Sequence, residues 1–380
     1  MSLYSNMNIG FDGKRAANNL TGLGNYSRSL VAGLAHFFPQ NQYFLYTPKV
    51  RDNVQISEFF SADNIQVRTP LSKGPLWRSL GIKKSLIKDK IDLFHGLSHE
   101  IPLGLTAAGI PSIVTVHDLI FLRFPQYFGT IDRFIYKLKC GYACRRANRI
   151  IAISERTKRD IIEFFNIDPG KIEVIYQSCD ESFKTSCTEE KKSSVRETFQ
   201  LPEKYILSVG TIETRKNLIT LVRALKHIDV VYRLVVVGKK TAYADQVLAE
   251  IEELGLNDRV LFLKNVPFDA LPAIYQQAAV FVYPSLYEGF GIPILEALHS
   301  GVPVVAAKGS CLEEAGGPDS LYVRPLNHTG FANAVNSLLT NPELREKMRN
   351  AGRSFAERFD SNLLAEQLMR VYLDVIKSNR

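Results

Sequence analysis

Two short stretches of the chain carry residues whose types and spacing could do chemistry. In the first, seven residues separate the carboxylates of Glu288 and Glu296, and Gly289 and Gly291 lie between them. Glycines let a backbone approach a ligand closely, and a helix start offers free N–H groups to oxygen-rich or anionic groups. We expect Glu296 in the first turn of such a helix. Carboxylates accept hydrogen bonds from sugar hydroxyls but repel phosphate, so the stretch indicates a ligand with polyol and phosphate parts.

The second stretch places two adjacent cations directly after a predicted strand. The apolar run 205–209 ends at Gly210, and Arg215 and Lys216 follow within a short loop. Cations at a strand end are unusual for packing but suited to holding a diphosphate. Together with the free N–H groups of a helix start, they could stabilise a diphosphate leaving group without a metal ion.

The glycine-bearing stretch resembles a known family signature. It reads Tyr-Glu-Gly-Phe-Gly-Ile-Pro-Ile-Leu-Glu-Ala-Leu over 287–298, and the likeness continues through Gly-Val-Pro-Val-Val-Ala at 301–306. This resembles the Glu-x7-Glu signature of the family-4 retaining glycosyltransferases. The loop Gly210–Asn217 is also similar, although Thr211 stands where many members have arginine. The resemblance implies an α/β chain of the GT-B fold, with two Rossmann-like doubly wound parallel-sheet domains facing a deep cleft.

The same resemblance implies an activity and roles for individual residues. It implies that a hexose moves from a nucleotide-diphosphate sugar to an acceptor with retention of anomeric configuration. Glu296 would hold the ribose, Glu288 the donor hexose, and the loop after Val260–Leu263 the base through backbone groups. The implied catalytic residues are His117, Glu288, Arg215 and Lys216. The implied donor-binding residues are Gly22, Gly24, Gly210, Arg215, Lys216, Val266, Glu288, Gly289, Phe290, Gly291 and Glu296.

Two of those sites lie in the first half of the chain. Gly22 and Gly24 follow the first predicted strand and precede a predicted helix at Tyr26–Phe38, as a phosphate-binding turn would, although Gly-x-Gly alone is weak evidence. His117 ends another predicted strand, and the segment Val116–Leu119 resembles the family segment at the donor sugar. A buried histidine that closes a strand with its hydrogen bonds satisfied is an equal alternative. His95 and His99 are spaced like metal ligands, but Gly96 breaks the helix that such a pair needs.

Strand and helix patterns alternate along the chain and favour two parallel sheets. We expect an N-terminal acceptor domain at 1–180, joined by the C-terminal helix at 360–380. A polar stretch at 181–200 indicates a linker that leads through a helix into the second sheet. The donor domain then occupies 201–359.

Composition limits the partners and the compartment. The chain has 380 residues, 46% hydrophobic content and a formal net charge of +8, which favours anionic partners. We see no signature of a nucleic-acid-binding module. Five cysteines without a Cys-x-x-Cys pair fit a reducing compartment, so we expect a cytoplasmic protein. Residues 1–6, before a second methionine, indicate a start-site extension.

Two basic stretches, 73–90 and 131–159, interleave cations with apolar residues. Solvated faces of amphipathic helices are the simpler explanation. The alternative is peripheral contact with anionic lipids at the inner face of the cytoplasmic membrane.

Several questions stay open at this stage. No Asp-x-Asp sequence is present, so we expect neither a metal nor a cofactor, the nucleotide sugar being a substrate. GDP-mannose is the first choice of donor because the segment at 117–119 and the loop at 210–217 look most like mannosyltransferase members, but UDP-hexoses remain open. The acceptor, glycan or lipid-linked, cannot be identified beyond surface polysaccharide assembly. A glycoside hydrolase, a sugar-nucleotide epimerase and a non-catalytic sugar-nucleotide-binding protein remain as alternatives.

Overall fold

The computed structural model describes residues 6–20, 22–70 and 77–379. The chain divides into two compact units, Met1–Gln177 with Asp360–Arg380, and Ser178–Phe359. Most of the proposed N-terminal extension, Thr21 beside Gly22, and the start of the first basic stretch at 73–76 lie outside the described residues.

The first unit is built on a seven-stranded parallel sheet in the order β3-β2-β1-β4-β5-β6-β7. Its strands are β1 Asn8–Asp12, β2 Gln42–Tyr46, β3 Ile65–Arg68, β4 Leu93–Gly96, β5 Ser112–Val116, β6 Arg149–Ala152 and β7 Ile172–Val174. Its helices are α1 Lys14–Asn18, α2 Gly22–Phe37, α3 Val54–Phe59, α4 Ile82–Lys88, α5 Ile120–Arg123, α6 Thr130–Arg146 and α7 Glu155–Phe165. A π-helix at Trp77–Gly81 precedes α4. The five inner strands are almost wholly buried because helices cover both faces of the sheet, whereas the edge strands β3 and β7 are partly exposed.

The second unit repeats this plan with six parallel strands in the order β10-β9-β8-β11-β12-β13. Its strands are β8 Tyr205–Val209, β9 Arg233–Val237, β10 Val260–Leu263, β11 Val280–Tyr283, β12 Val304–Ala307 and β13 Leu321–Val323. Its helices are α8 Glu189–Phe199, α9 Leu218–Leu225, α10 Tyr243–Glu253, α11 Leu271–Gln276, α12 Ile292–His299, α13 Leu312–Gly316, α14 His328–Leu339 and α15 Pro342–Ala356. The predicted architecture of two doubly wound parallel sheets is confirmed.

The last helix, α16 Ser361–Lys377, packs against α2 in the first unit. Leu368, Met369 and Tyr372 of α16 join the same buried apolar cluster as β1 and β2. The segment 181–200, interpreted from the sequence as a linker, contains α8. This helix packs against α11, so the segment is part of the second unit.

In both sheets the reversal of strand order lies beside the first strand, between β1 and β4 and between β8 and β11. Ligands of doubly wound sheets bind at the carboxyl ends of strands at this position. Loops after β8 and β11 are therefore where a ligand of the second unit is expected.

Candidate functional site

The loop after β8 is held in a fixed conformation by glycine and asparagine. Gly210 has a φ of +149°. A Cβ on Gly238, at the end of β9, would lie 1.8 Å from the carbonyl oxygen of Gly210, so only glycine allows these strand ends to approach. Asn217 has a φ of +57°, and its side-chain amide donates to the carbonyl oxygens of Pro284 (3.0 Å) and Pro325 (2.8 Å). The turn that carries Arg215 and Lys216 is thereby fixed beside the loop after β11.

Both cations contact the same carboxylate. Nη1 of Arg215 lies 2.5 Å from one oxygen of Glu288, and Nζ of Lys216 lies 2.5 Å from the other. Ser285 donates to the second oxygen, and Tyr283 lies 3.2 Å from it. Lys216 also donates to the hydroxyl of Tyr283 at 2.6 Å. Of the residues expected from the sequence, Arg215, Lys216 and Glu288 are thus in direct contact.

The electrostatics of this cluster follow from burial and from opposite charge. Burial by itself would raise the pKa of Glu288, but Lys216 and Arg215 together lower it to about 2. Burial lowers the pKa of Lys216, and Glu288 opposes that effect. Glu213, which contacts Arg215 at 2.6 Å, adds a second negative charge to the two cations. A ligand that brings its own negative charge could therefore take over from Glu288 as the partner of both cations.

The glycine-bearing loop is fastened to α13 by a thiol. Cys311, which is fully buried, donates to the carbonyl oxygens of Phe290 (2.7 Å) and Glu288 (3.1 Å). A Cβ on Gly291 would lie 3.0 Å from Cβ of Ala315, so a side chain there would require the loop or α13 to shift slightly. The ring of Phe290 is buried edge-to-face against Phe359 at 5.5 Å. Phe290 thus contributes to the loop through packing and its backbone.

Glu296 lies in a different local environment from Glu288. The helix α12 begins at Ile292, with Pro293 as its second residue, so Glu296 lies in the second turn rather than in the first turn predicted from the sequence. Its carboxylate accepts a hydrogen bond from the hydroxyl of Tyr275 at 2.7 Å. Burial raises the pKa of Glu296 to about 7, and the Tyr275 hydrogen bond offsets part of that rise. Near neutral pH this carboxyl group is therefore poised between its two protonation states.

His117 has both ring nitrogens occupied by the protein. Nε2 lies 2.8 Å from the carbonyl oxygen of Leu97, and Nδ1 lies 3.1 Å from Nε2 of Gln177. The side chain is 4% exposed, and burial lowers the pKa of His117 to about 3. The tautomer with hydrogen on Nε2 satisfies both contacts, since Gln177 can then donate to Nδ1. His117 is a neutral, hydrogen-bonded histidine at the end of β5.

His95 is likewise buried and bonded, to Tyr372 at 2.6 Å and Thr115 at 2.8 Å. Within the described residues, no group of three or more His, Cys, Asp and Glu side chains is arranged to hold a metal ion.

The first glycine pair is not in a loop. The helix α2 begins at Gly22, so Gly22 and Gly24 form its first turn rather than the phosphate-binding turn predicted before a helix at Tyr26. A Cβ on Gly24 would lie 1.7 Å from the carbonyl oxygen of Asn19. Close packing of α1 and α2 therefore accounts for Gly24.

The remaining predicted residues lie at their expected places in the loops. Val266 is half-buried after β10 and follows Asn265, whose φ is +52°. Gly289 is half-buried in the loop after β11.

Sequence reasoning gave no role to Tyr283, Ser285, Tyr275 and Cys311. Tyr283 and Ser285 flank Pro284, so the hydroxyl side chains five and three positions before Glu288 were the available signal.

Comparison with known families agrees with this geometry. The family model described as "Glycosyltransferase Family 4" matches residues 21–183, and the model described as "Glycosyl transferases group 1" matches residues 189–355. The chain belongs to glycosyltransferase family 4. The resemblance found in the motifs at 210–217 and 287–298 is thereby confirmed, and the protein is a glycosyltransferase.

Individual family members are similar over most of the chain. The "O-antigen chain mannosyltransferase B" of Escherichia coli is 28% identical over 374 residues, which cover 93% of this chain and 96% of that protein. The "O-antigen chain mannosyltransferase RfbU" of Salmonella typhimurium is 29% identical over 247 residues, or 65% of each chain. The crystal structure of Anabaena HepE in complex with UDP and glucose has a TM-score of 0.75 at 18% identity, and the alignment covers 96% of this chain and 99% of HepE. The structural likeness shows the GT-B fold.

Proposed function

We propose that this family-4 glycosyltransferase is a retaining mannosyltransferase that uses GDP-mannose and extends a glycan or lipid-linked acceptor in surface polysaccharide assembly. The observation that carries the proposal is the convergence of Arg215 and Lys216 on Glu288 where β8 and β11 end. The mannosyltransferase names of the two similar curated proteins support the choice of sugar and pathway.

In the proposed reaction, the donor diphosphate binds Arg215 and Lys216 in exchange for part of their contact with Glu288. The bond between the anomeric carbon and the leaving phosphate oxygen breaks, and negative charge grows on that oxygen. Two cations in a partly buried site stabilise this charge more strongly than they would in water. We propose that this suffices without a metal ion, so activity should survive treatment with EDTA.

The other carboxyl groups have separate proposed roles. Glu288, already held in place by Ser285 and Tyr283, would accept hydrogen bonds from hydroxyls of the donor hexose. Glu296 would accept them from the ribose hydroxyls. The acceptor hydroxyl attacks the anomeric carbon from the face that the phosphate leaves, and its proton passes to the phosphate oxygen, so the anomeric configuration is retained.

His117 is proposed to act at the donor sugar through its backbone and position, because Leu97 and Gln177 engage both ring nitrogens. Gly210, Val266, Gly289 and Gly291 are proposed to contribute backbone groups to the nucleotide and phosphates. For Gly22 and Gly24 we retain a donor contact only as a proposal for the start of α2.

The basic character of the chain adds a proposal about location. A formal net charge of +8 favours a peripheral position at an anionic membrane, where lipid-linked acceptors are found. No helix of the described residues is long and apolar enough to cross a bilayer.

The decisive experiment measures binding and turnover with a donor panel. GDP-mannose, UDP-glucose, UDP-galactose and ADP-glucose are titrated calorimetrically, with and without EDTA, into the unaltered protein and into Lys216→Ala. We expect GDP-mannose to bind best and Lys216→Ala to weaken that binding. Preference for a UDP-sugar would overturn the choice of donor, and conversion of the donor without an acceptor would indicate an epimerase. NMR of the anomeric proton in the product tests retention.

A further inference from the structure

The helix α6, Thr130–Arg146, carries an exposed apolar stripe. Ile131, Phe134, Ile135 and Leu138 follow the i, i+3, i+4, i+7 spacing that places side chains on one helix face. They are 76%, 61%, 41% and 57% exposed, respectively. Isolated apolar residues on a surface are ordinary, but four on one face form a contiguous patch. We call these four residues the α6 stripe.

The stripe is separate from the face that holds α6 to the sheet. Cys140, Ala143 and Cys144 are buried on the opposite side, in the core beneath α6. Every residue from Phe134 to Lys139 is exposed, although the ring of Tyr136 contacts Phe121 of the same core at 5.8 Å. A helix that is apolar on two faces needs a partner for each. Among the residues that the structure describes, only the face with Cys140, Ala143 and Cys144 has one.

Cations surround the stripe. The helix carries Arg133, Lys137, Lys139, Arg145 and Arg146 against a single acidic residue, Asp132. Lys139 is paired with Glu100 at 3.2 Å, whereas Lys137, Arg145 and Arg146 are exposed. A stripe of isoleucine, phenylalanine and leucine bordered by cations is the pattern of a helix that lies in a membrane interface.

The neighbouring loop extends the apolar surface. The backbone N–H of Gly104 donates to the hydroxyl of Tyr142 on α6 at 3.2 Å, and Leu103, next to it, is 41% exposed. The N–H of Leu103 in turn donates to the carbonyl oxygen of Ser79, beside Leu80, which is 53% exposed. These hydrogen bonds link α6, the loop at 103–104 and the π-helix Trp77–Gly81, and each of these three segments carries an exposed apolar side chain.

We propose that the α6 stripe inserts into the boundary between headgroups and acyl chains of an anionic bilayer. The cations beside it would bind lipid phosphates. This assigns the membrane contact proposed above to a defined surface, and it does not depend on the identity of the donor or acceptor. A lipid surface fits better than a protein partner because the stripe offers no polar group to give a protein interface specificity, while the flanking charge is of one sign.

The test is flotation of the full chain with vesicles, without donor or acceptor. One set is pure phosphatidylcholine, and the other is an equal mixture of phosphatidylcholine and phosphatidylglycerol. We expect binding to the mixed vesicles that weakens with added salt. Phe134→Ser combined with Leu138→Ser should lower the partition coefficient about tenfold or more, since each removes buried apolar groups from the interface. Lys137→Glu with Arg146→Glu should lower it similarly.

Matched controls lie in the second unit. Val230 and Leu326 are 77% and 73% exposed, so Val230→Ser with Leu326→Ser removes apolar groups that are more exposed than Phe134 and Leu138 but lie elsewhere. Lys204→Glu with Lys226→Glu makes the same change in net charge as Lys137→Glu with Arg146→Glu. Both controls should bind vesicles like the unaltered chain. The proposal is overturned if the unaltered chain ignores anionic vesicles, or if the controls lose as much binding as the stripe variants. It is also overturned if light scattering without lipid shows a dimer that the stripe variants abolish, because the stripe would then join two copies of the chain.

Discussion

Arg215 and Glu288 are 73 positions apart in the chain, yet Nη1 of Arg215 lies 2.5 Å from Oε2 of Glu288. The backbones meet at the same place, since the N–H of Leu286 donates to the carbonyl oxygen of Arg215 at 2.8 Å. Lys216 holds the other oxygen of the same carboxylate. The site thus contains its own anion at the position where we propose that a diphosphate binds, and Glu288 must share both cations with the donor.

The first prediction concerns Lys216. In the proposed complex its ammonium donates to a phosphate oxygen, and a hydrogen bond to a charged group contributes about 1.5–3 kcal/mol. Lys216→Ala should therefore raise the dissociation constant for GDP roughly tenfold to a hundredfold. Isothermal titration calorimetry measures this dissociation constant directly. Lys226→Ala, an exposed lysine just after α9, is the control and should bind GDP normally. Equal affinity in both variants would remove Lys216 from the donor site.

The second prediction separates binding from turnover at Glu288. Glu288→Gln removes the charge that competes with the diphosphate for Arg215 and Lys216, so GDP should bind as well as before or more tightly. Transfer from GDP-mannose should fall about a hundredfold, because the charged contact proposed for the hexose in the transition state is lost. Calorimetry and initial rates give the two quantities. Parallel loss of GDP affinity and turnover would mean that Glu288 instead shapes the nucleotide site.

The third prediction follows from the pKa of Glu296. Burial raises this pKa to about 7, so the group is largely protonated at pH 6 and ionised at pH 8. If ribose hydroxyls donate to it, binding favours the ionised form. GDP affinity should then rise about tenfold per pH unit below pH 7 and level off above it. Calorimetry in buffers of different ionisation enthalpy should also show proton release near pH 7.

Two variants decide whether Glu296 causes that dependence. Glu296→Gln should abolish both the pH dependence and the proton release, whereas Glu253→Gln, at an exposed position of α10, should leave both unchanged. The raised pKa also has a consequence for stability. The native state holds this proton more tightly than the unfolded chain, so stability is lost as pH rises from about 4.5 through 7. Glu296→Gln should therefore gain stability over the unaltered chain at pH 8. A pH dependence that persists in Glu296→Gln would point to another group.

Local sequence signals were sufficient for the fold. The runs 205–209, 233–237 and 280–283 are short, apolar and rich in β-branched residues, as buried parallel strands are, and each is a strand in the structure. Arg215, Lys216 and Glu288 could be selected because polar groups beside glycines at strand ends have few packing roles. Their mutual contact could not be predicted, because it depends on how Asn217 ties two loops together.

The histidine and the first glycine pair show where sequence signals fail. Gln177, which bonds His117, is 60 residues away along the chain, and nothing in either local sequence indicates that contact. Gly22 and Gly24 looked like a turn because glycines are poor helix formers. Tertiary packing overrides that propensity at Gly24, where any side chain would collide with Asn19.

The fourth prediction concerns the thiol that holds the glycine-bearing loop. Cys311→Ala leaves the carbonyl oxygens of Phe290 and Glu288 without this donor, which costs about 1–3 kcal/mol for buried groups. The loop should shift, and KM for the donor should rise several-fold while kcat changes less. Cys311→Ser supplies a hydroxyl donor and should restore KM. Cys187→Ala tests loss of a cysteine elsewhere. An unchanged KM in Cys311→Ala would show that the thiol only fills space.

The last prediction concerns the hydrogen bond that joins α16 to the first sheet. The hydroxyl of Tyr372 lies 2.6 Å from Nδ1 of buried His95, and the other ring nitrogen of His95 bonds Thr115. Tyr372→Phe leaves a buried ring nitrogen unpaired, so the unfolding free energy at pH 7.5 should fall by about 1–3 kcal/mol. Tyr136→Phe, at an exposed position of α6, should change it little.

Burial lowers the pKa of His95 to about 3, and the unfolded chain binds this proton near pH 6.5. The stability that comes from keeping His95 neutral in the folded state is therefore present above pH 6.5 and is lost as pH falls toward 3. Denaturant titrations at both ends of that range measure it, and equal stability of the two Tyr→Phe variants would show that the bond does not secure α16.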